Sequence, residues 1–208
     1  GIDDFEIGLK NGSKIGPPSP YENEKPIVFY GSSITQGASA SRSGLGFPAL
    51  VADYFDSNFV NLGFSGSAKG EQVVAKDIAQ IDMSAFVMEY DHNAETPEDL
   101  QNTHYAFYET IRNAHPDIPI VMISRISGGY SASEKETAKR ANIIRQTYET
   151  ARANGDNNVY FINGSQLITE NAEIYLTDGK HPNDRGMSII ATAIEDCLFI
   201  GERQNLVL

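Results

Sequence analysis

The sequence predicts an α/β protein, a three-layer α/β/α sandwich around a five-stranded parallel sheet. Five short apolar runs, each too short for a helix, recur along the chain. They are rich in β-branched and aromatic residues and lack the alternation of a half-solvated strand, so they read as strands covered on both faces. The longer stretches between them carry helical spacing. Strands that alternate with helices pair in parallel through right-handed crossovers.

The five runs are Ile27–Tyr30, Phe59–Leu62, Ala85–Tyr90, Ile118–Ile123 and Val159–Ile162. Between the third and fourth, Thr96-Pro97-Glu98-Asp99 supplies a capping hydroxyl, a first-turn proline and two acids beside the positive helix end. The apolar stripe behind it is Leu100, Phe107, Tyr108 and Ile111. Ser133-x-x-Glu136 reads as a capping box, followed by a face of Ala141, Ile144, Tyr148 and Ala151 that closes at Asn154-Gly155. The last helix is expected from about Asn183, with Met187, Ile190, Ala191, Ile194 and Leu198 at helical spacing.

At 208 residues, 40% hydrophobic and 21% charged, the chain is sized and composed for one globular domain that buries roughly 70% of its unfolded surface. The formal net charge of −12 disfavours nucleic acid and anionic membranes as partners. No uncharged apolar run approaches the ~20 residues of a spanning helix. The single cysteine, Cys197, excludes an internal disulfide framework and a multi-cysteine zinc site. No metal and no cofactor are expected.

Residues 1–25 read as a lead-in or linker, with a Gly/Pro/Ser-rich strap at Asn11–Pro20, and 26–208 as the domain proper. Gly1 is not a natural initiator and Ile2–Leu9 is neither a basic nor an apolar leader, so the chain reads as cut from something longer, with no signal peptide.

Ligands of parallel sheets sit beyond the carboxyl ends of the strands. The segments there are Gly31-Ser32-Ser33-Ile34-Thr35-Gln36-Gly37, Asn61–Ser67, Asp91-His92-Asn93 and Asp178-Gly179-Lys180-His181-Pro182. These groups suit acyl transfer. A serine hydroxyl needs a base to take its proton, and the base works best when a third group orients it. His181 can accept and return a proton near neutrality, and Asp178, three residues earlier, can hold its other ring nitrogen. Backbone N–H groups of Ser33 and Gly66 and the Asn93 amide can converge on a developing oxyanion.

At these residues the sequence resembles the SGNH (GDSL-type) hydrolases. Gly31-Ser32-Ser33-Ile34-Thr35 matches the first family block, with Ser33 on the nucleophile. Asn61…Gly66 resembles the second and places the oxyanion glycine at Gly66. The segment after the third run places the family's asparagine at Asn93, and Asp178-x-x-His181 matches the block that holds acid and base. The resemblance runs from about Pro26 to the last helix and implies the flavodoxin-like SGNH fold. Ser32 stands where the family usually has Asp, and Asp91-His92-Asn93-Ala94 replaces Gly-x-Asn-Asp. Within the family the sequence looks like bacterial members with an upstream β-sandwich module, which implies an esterase on acylated carbohydrates; a secreted or periplasmic location is expected.

Each residue also has a plainer reading. Ser33 suits a turn serine, Asp178 a turn cap, Asn93 a helix cap and Gly66 a position that needs positive φ. Ser32, His92, Arg42 and Tyr130 are candidate substrate contacts, the last two from the segments Ala38–Gly46 and Ser127–Tyr130; for His92 a solvated loop is the alternative. His104 reads as a satisfied core histidine, His115 as facing a helix C-terminus, Cys197 as a core thiol, and Phe64 and Tyr90 as core more than pocket.

The expected function is a serine esterase acting on small acyl, above all acetyl, esters of a small-molecule or oligosaccharide substrate. A lipase- or thioesterase-type acylhydrolase of the same family is one alternative. A flavodoxin-like carrier that cradles FMN phosphate in the Ser/Thr-rich first loop is another, and a catalytically dead sugar-binding module a third. Gly44-x-Gly46-x-x-Ala49 lies too far past the first strand for a dinucleotide fingerprint, and no G-x-S-x-G elbow occurs.

Overall fold

A computed structural model describes residues 4, 6–126 and 133–205 of the chain. The elements that position the rim are β1 (Asn23–Gly31), α1 (Ser33–Gln36), α2 (Phe47–Tyr54), β2 (Ser57–Gly63), α3 (Gln72–Ile78), β3 (Ala85–Glu89), α4 (Pro97–Ala114), β4 (Ile120–Ile123), α5 (Glu134–Ala153), β5 (Val159–Ile162), α6 (Ala172–Tyr175) and α7 (Asp184–Asn205). All neighbouring strands pair in parallel, in the order β2-β1-β3-β4-β5. The chain therefore leaves β1 to one side for β2 and returns to its other side for β3. Crevices form at such a switch in direction.

Side chains alternate across the sheet and feed two cores. Val28, Tyr30, Phe86, Met88, Ile120 and Met122 meet α3, α4 and α5, where Tyr30 stacks on Phe107 with ring centroids 4.6 Å apart. Ile27, Phe29, Ala85, Val87, Val121 and Ile123 meet Phe47 and Val51 of α2 and Met187, Ile190 and Ile194 of α7. Each such side chain contributes roughly 1.5–3 kcal/mol when fully buried, so the three central strands anchor the molecule.

The five strands lie where the apolar runs placed them, with one correction. The two edge strands, β2 along much of its length and β5 at Tyr160 and Phe161, are only partly buried, because a second neighbour covers only interior strands. The cap at Thr96 is a full box with Asp99, closed by Asp99 N–H to Thr96 Oγ1 at 3.1 Å and Thr96 N–H to Asp99 Oδ2 at 3.1 Å. The box at Ser133 is only half made. Its hydroxyl accepts from Glu136 N–H, but the Glu136 carboxylate turns to Arg140 Nε at 3.0 Å instead of back to the cap. Residue 4 and residues 6–22 are exposed, contain no helix or strand, and present Ile7, Leu9, Ile15 and Tyr21 to solvent.

Candidate active site

Ser33 opens α1 directly after β1, an interior strand of the sheet. Ser32 caps that turn, its Oγ accepting from Ile34 N–H at 3.1 Å. Packing the turn this close to the sheet requires a bare backbone on β2. A Cβ on Gly63 would lie 2.2 Å from the amide nitrogen and 2.5 Å from the Cα of Gln36. Asn61 fixes the other end of the turn by donating to the Thr35 carbonyl at 2.9 Å.

Ser33 Oγ lies 2.9 Å from His181 Nε2, although the two residues are 148 positions apart. His181 Nδ1 faces Asp178 Oδ2 at 2.7 Å, which leaves Nε2 free to accept a proton. Asp178 Oδ1 accepts the backbone N–H groups of Lys180 at 3.0 Å and His181 at 2.7 Å. These bonds, led by the His181 N–H, hold the Asp178 carboxyl well below the usual range, so it stays ionised. The Thr177–His181 backbone bond of 2.9 Å and a bridge between Leu176 and Pro182 set the loop on the start of α7.

Gly66 sits at φ +70° with open space where a Cβ would be. Among the described residues, no hydrogen bond occupies the N–H groups of Gly66 and Ser33. Asn93 Nδ2 donates to the Phe64 carbonyl at 2.9 Å, which ties the loop after β3 to the loop that carries Gly66 and leaves a second amide hydrogen. Asn93 does not cap α4, a task that falls to Thr96.

A group of charges beneath the rim was not anticipated as part of the site. Glu89 ends β3 almost wholly buried, and its Oε2 accepts from Ser32 Oγ at 2.8 Å, Thr35 Oγ1 at 2.9 Å and Ser32 N–H at 3.3 Å. Burial and, secondarily, the Asp91 charge push its pKa up to about 7. Burial likewise pushes Asp91 up to about 6, against the pull of Arg125, whose N–H donates to Asp91 Oδ2 at 2.8 Å. Buried Arg140 of α5 donates to the carbonyls of Asp91 at 2.7 Å and Ala94 at 2.9 Å, which pins the loop that bears Asn93. A glutamate inside an apolar strand run is the one sequence signal that pointed here.

Ser32 is corrected as a substrate contact. Its side chain is fully buried and bonded to Glu89 and Ile34 N–H, so it faces the sheet. His92 is half-buried rather than a freely solvated loop residue: its Nε2 is buried without a partner, and burial, followed by the Arg125 charge, holds its pKa well below the usual value. Arg42 is exposed on a segment where Ser41 N–H docks at 2.7 Å on Asp184, three residues past His181. Tyr130 and the rest of Ser127–Tyr130 lie outside the described residues. Phe64 is 43% exposed beside the rim, whereas Tyr90 is core.

His104 is buried in the core, with Nδ1 2.9 Å from Thr147 Oγ1. His115 caps α4 and donates to the Ala79 carbonyl at the end of α3, at 3.0 Å. Cys197 is partly buried beside the α7 core. Among the described residues, Glu89, Asp91 and His92 each offer a ligand atom within 4.8 Å of the others. Arg125 already supplies cationic charge there. The flavin alternative fits poorly, because the hydroxyls of Ser32 and Thr35 that would cradle a phosphate donate to a carboxylate instead.

The model of the GDSL-like lipase/acylhydrolase family matches residues 24–198. The chain belongs to that family. A protein from Bacteroides ovatus described as a GDSL-like lipase is 33% identical, with a TM-score of 0.78 over 89% of this chain and 55% of its own. Two further structures share the fold. A family two carbohydrate esterase from Clostridium thermocellum, in complex with cellohexaose, is 14% identical with a TM-score of 0.66 over 88% of this chain and 65% of its own. A two-domain esterase active on acetylated mannans is 18% identical with a TM-score of 0.63 over 85% and 49%. The chain thus spans about half the length of the Bacteroides ovatus and mannan-esterase chains. No curated protein matches it.

Proposed function

We propose that this family member is a serine esterase that removes small acyl groups, acetyl in the first instance, from a carbohydrate. The observation that carries the reading is the hydrogen-bonded line from Ser33 Oγ through His181 to Asp178, with links of 2.9 and 2.7 Å. Ser33 Oγ attacks the ester carbonyl carbon while His181 Nε2 takes its proton. Asp178 Oδ2 holds the imidazolium by its Nδ1–H. The carbonyl oxygen becomes an oxyanion and accepts from the N–H groups of Ser33 and Gly66 and from Asn93 Nδ2. A donor of this kind is worth on the order of 3–4 kcal/mol in other serine hydrolases. His181 then returns the proton to the departing alkoxide. Water, deprotonated by the same imidazole, releases the acid from the acyl-enzyme and restores the serine.

The carbohydrate half of the reading draws on the likeness to bacterial carbohydrate esterases. The net charge of −12 disfavours polyanionic substrates. We assign the alcohol part to exposed Arg42, on the segment that docks on Asp184, and exposed Phe64, whose carbonyl accepts from Asn93.

The test pairs a fluorophosphonate probe and mass spectrometry with hydrolysis of p-nitrophenyl acetate, acetylated oligosaccharides and longer-chain esters. An adduct on Ser33 and a loss of about 10⁴-fold or more in Ser33→Ala, at an unchanged melting temperature, are expected. Retained turnover in Ser33→Ala refutes the nucleophile. A preference for long-chain esters over acetylated oligosaccharides replaces the carbohydrate reading with the lipase one.

A further inference from the structure

We propose that Glu89 is the positioning residue of the nucleophile, the buried anchor that fixes the α1 turn from beneath so that Ser33 stays aligned with His181. The proposal rests on the reading of Ser33 as nucleophile. Glu89 Oε2 grips the residues on both sides of it, accepting from Ser32 Oγ at 2.8 Å and from Thr35 Oγ1 at 2.9 Å. Ser32 N–H reaches the same carboxylate oxygen at 3.3 Å and the Glu89 carbonyl at 2.9 Å. The grip extends one step further. With its proton committed to Glu89, Ser32 Oγ turns a lone pair to Ile34 N–H at 3.1 Å, and this bond caps the turn. Side-chain and backbone donors at 32, 34 and 35 are thereby held, while the hydroxyl of Ser33 faces His181.

A four-residue helix is far too short to hold its own shape. A displacement of 1 Å at a reacting atom can cost about 10²-fold in rate. The turn therefore needs an external anchor, and hydrogen bonds to a charged acceptor are roughly twice as strong as neutral ones. Keeping that acceptor is costly. Glu89 is 3% exposed, lies near Asp91, and its Oε1 is buried without a partner.

The experiment compares kcat and KM on p-nitrophenyl acetate for Glu89→Ala, Glu89→Gln and the double variant Ser32→Ala/Thr35→Val. The double variant removes the two hydroxyl bonds from the other side and leaves the carboxylate in place. Positioning predicts that Glu89→Ala loses about 100-fold in kcat with KM within about threefold of wild type. Glu89→Gln, whose amide oxygen accepts in the same place, recovers to within about tenfold of wild type. The double variant loses a comparable factor, and adding Glu89→Gln to it changes kcat by less than about threefold, because both act through the same bonds. The proposal is overturned if Glu89→Ala and the double variant both keep wild-type kcat, or if Glu89→Gln is as damaging as Glu89→Ala. Should Glu89→Ala fail to fold, the double variant decides alone. Ser33→Ala in the same assay separates the two layers: its activity would sink the nucleophile itself, whereas a dead Ser33→Ala beside a fully active double variant sinks only the anchor.

Discussion

Replacing Asp178 by Asn should nearly abolish turnover, and the reason lies in the two oxygens of the carboxylate. Oδ1 is already committed to the N–H groups of Lys180 and His181. An asparagine must keep its only acceptor oxygen there, since turning it would set an NH₂ group against two donors. Its Nδ2 then takes the place of Oδ2, 2.7 Å from His181 Nδ1. Two N–H groups cannot share that contact, so the imidazole moves its proton to Nε2. A proton on Nε2 points at Ser33 Oγ, and the base can no longer take one from it. A tautomer trapped this way costs about 10⁴ in kcat in other serine hydrolases, close to 5 kcal/mol of barrier. The Asp178 side chain is 53% exposed and both backbone bonds survive, so the melting temperature should stay within about a degree of wild type. Steady-state hydrolysis of p-nitrophenyl acetate and a thermal melt on the same sample measure both. A variant that keeps a tenth of wild-type kcat would refute the reasoning, because some other group would then be orienting the ring.

Further outcomes follow from the supports around the site. In Gly63→Ala the new methyl meets the backbone of Gln36 at 2.2–2.5 Å, so α1 must shift. A loss of about 100-fold in kcat with retained far-UV circular dichroism is expected. Arg140→Met keeps the stem volume but takes the donor from the carbonyls of Ala94 and Glu95, the partner from the Glu136 carboxylate, and one of two donors from the Asp91 carbonyl, which retains Arg125 Nη2 at 3.2 Å. About 2–4 kcal/mol of stability should be lost in a urea titration followed by circular dichroism, since the chain has no tryptophan. Glu89 also ties stability to pH. Its folded pKa is raised from 4.5 to about 7, so between those values the native state holds a proton that the unfolded chain has released, and stability falls as pH rises through that window. Relative to Glu89→Gln, wild type should lose about 3 kcal/mol between pH 4.5 and 7, and a constant gap across that range would contradict the assignment.

Much of the framework was legible because its signals are local. The central strands declare themselves by short, almost unbroken apolar runs, and α4 announces its start with Thr96 and Pro97. α2 and α3 were not anticipated, and neither has a side-chain cap. At eight and seven residues they also offer too few turns for a periodic stripe to stand out. The edge position of β2 was hidden for another reason: its run reads like that of β1, and only strand order tells which of them lacks a second neighbour.

The site divides along the same line. Sequence by itself determined which groups were available for acyl chemistry, since Asp178 and His181 share one turn and Ser33 follows a strand. Tertiary structure alone decided that Ser33 and His181 meet, because bringing together groups 148 positions apart depends on the sheet that stacks their two loops at one edge. It also decided which way the neighbours face. Ser32 and Ser33 are the same residue type side by side, yet one looks down to Glu89 and the other out to His181. No local pattern separates two adjacent serines; the difference is set by a buried carboxylate on the next strand, which only the folded chain puts beneath them.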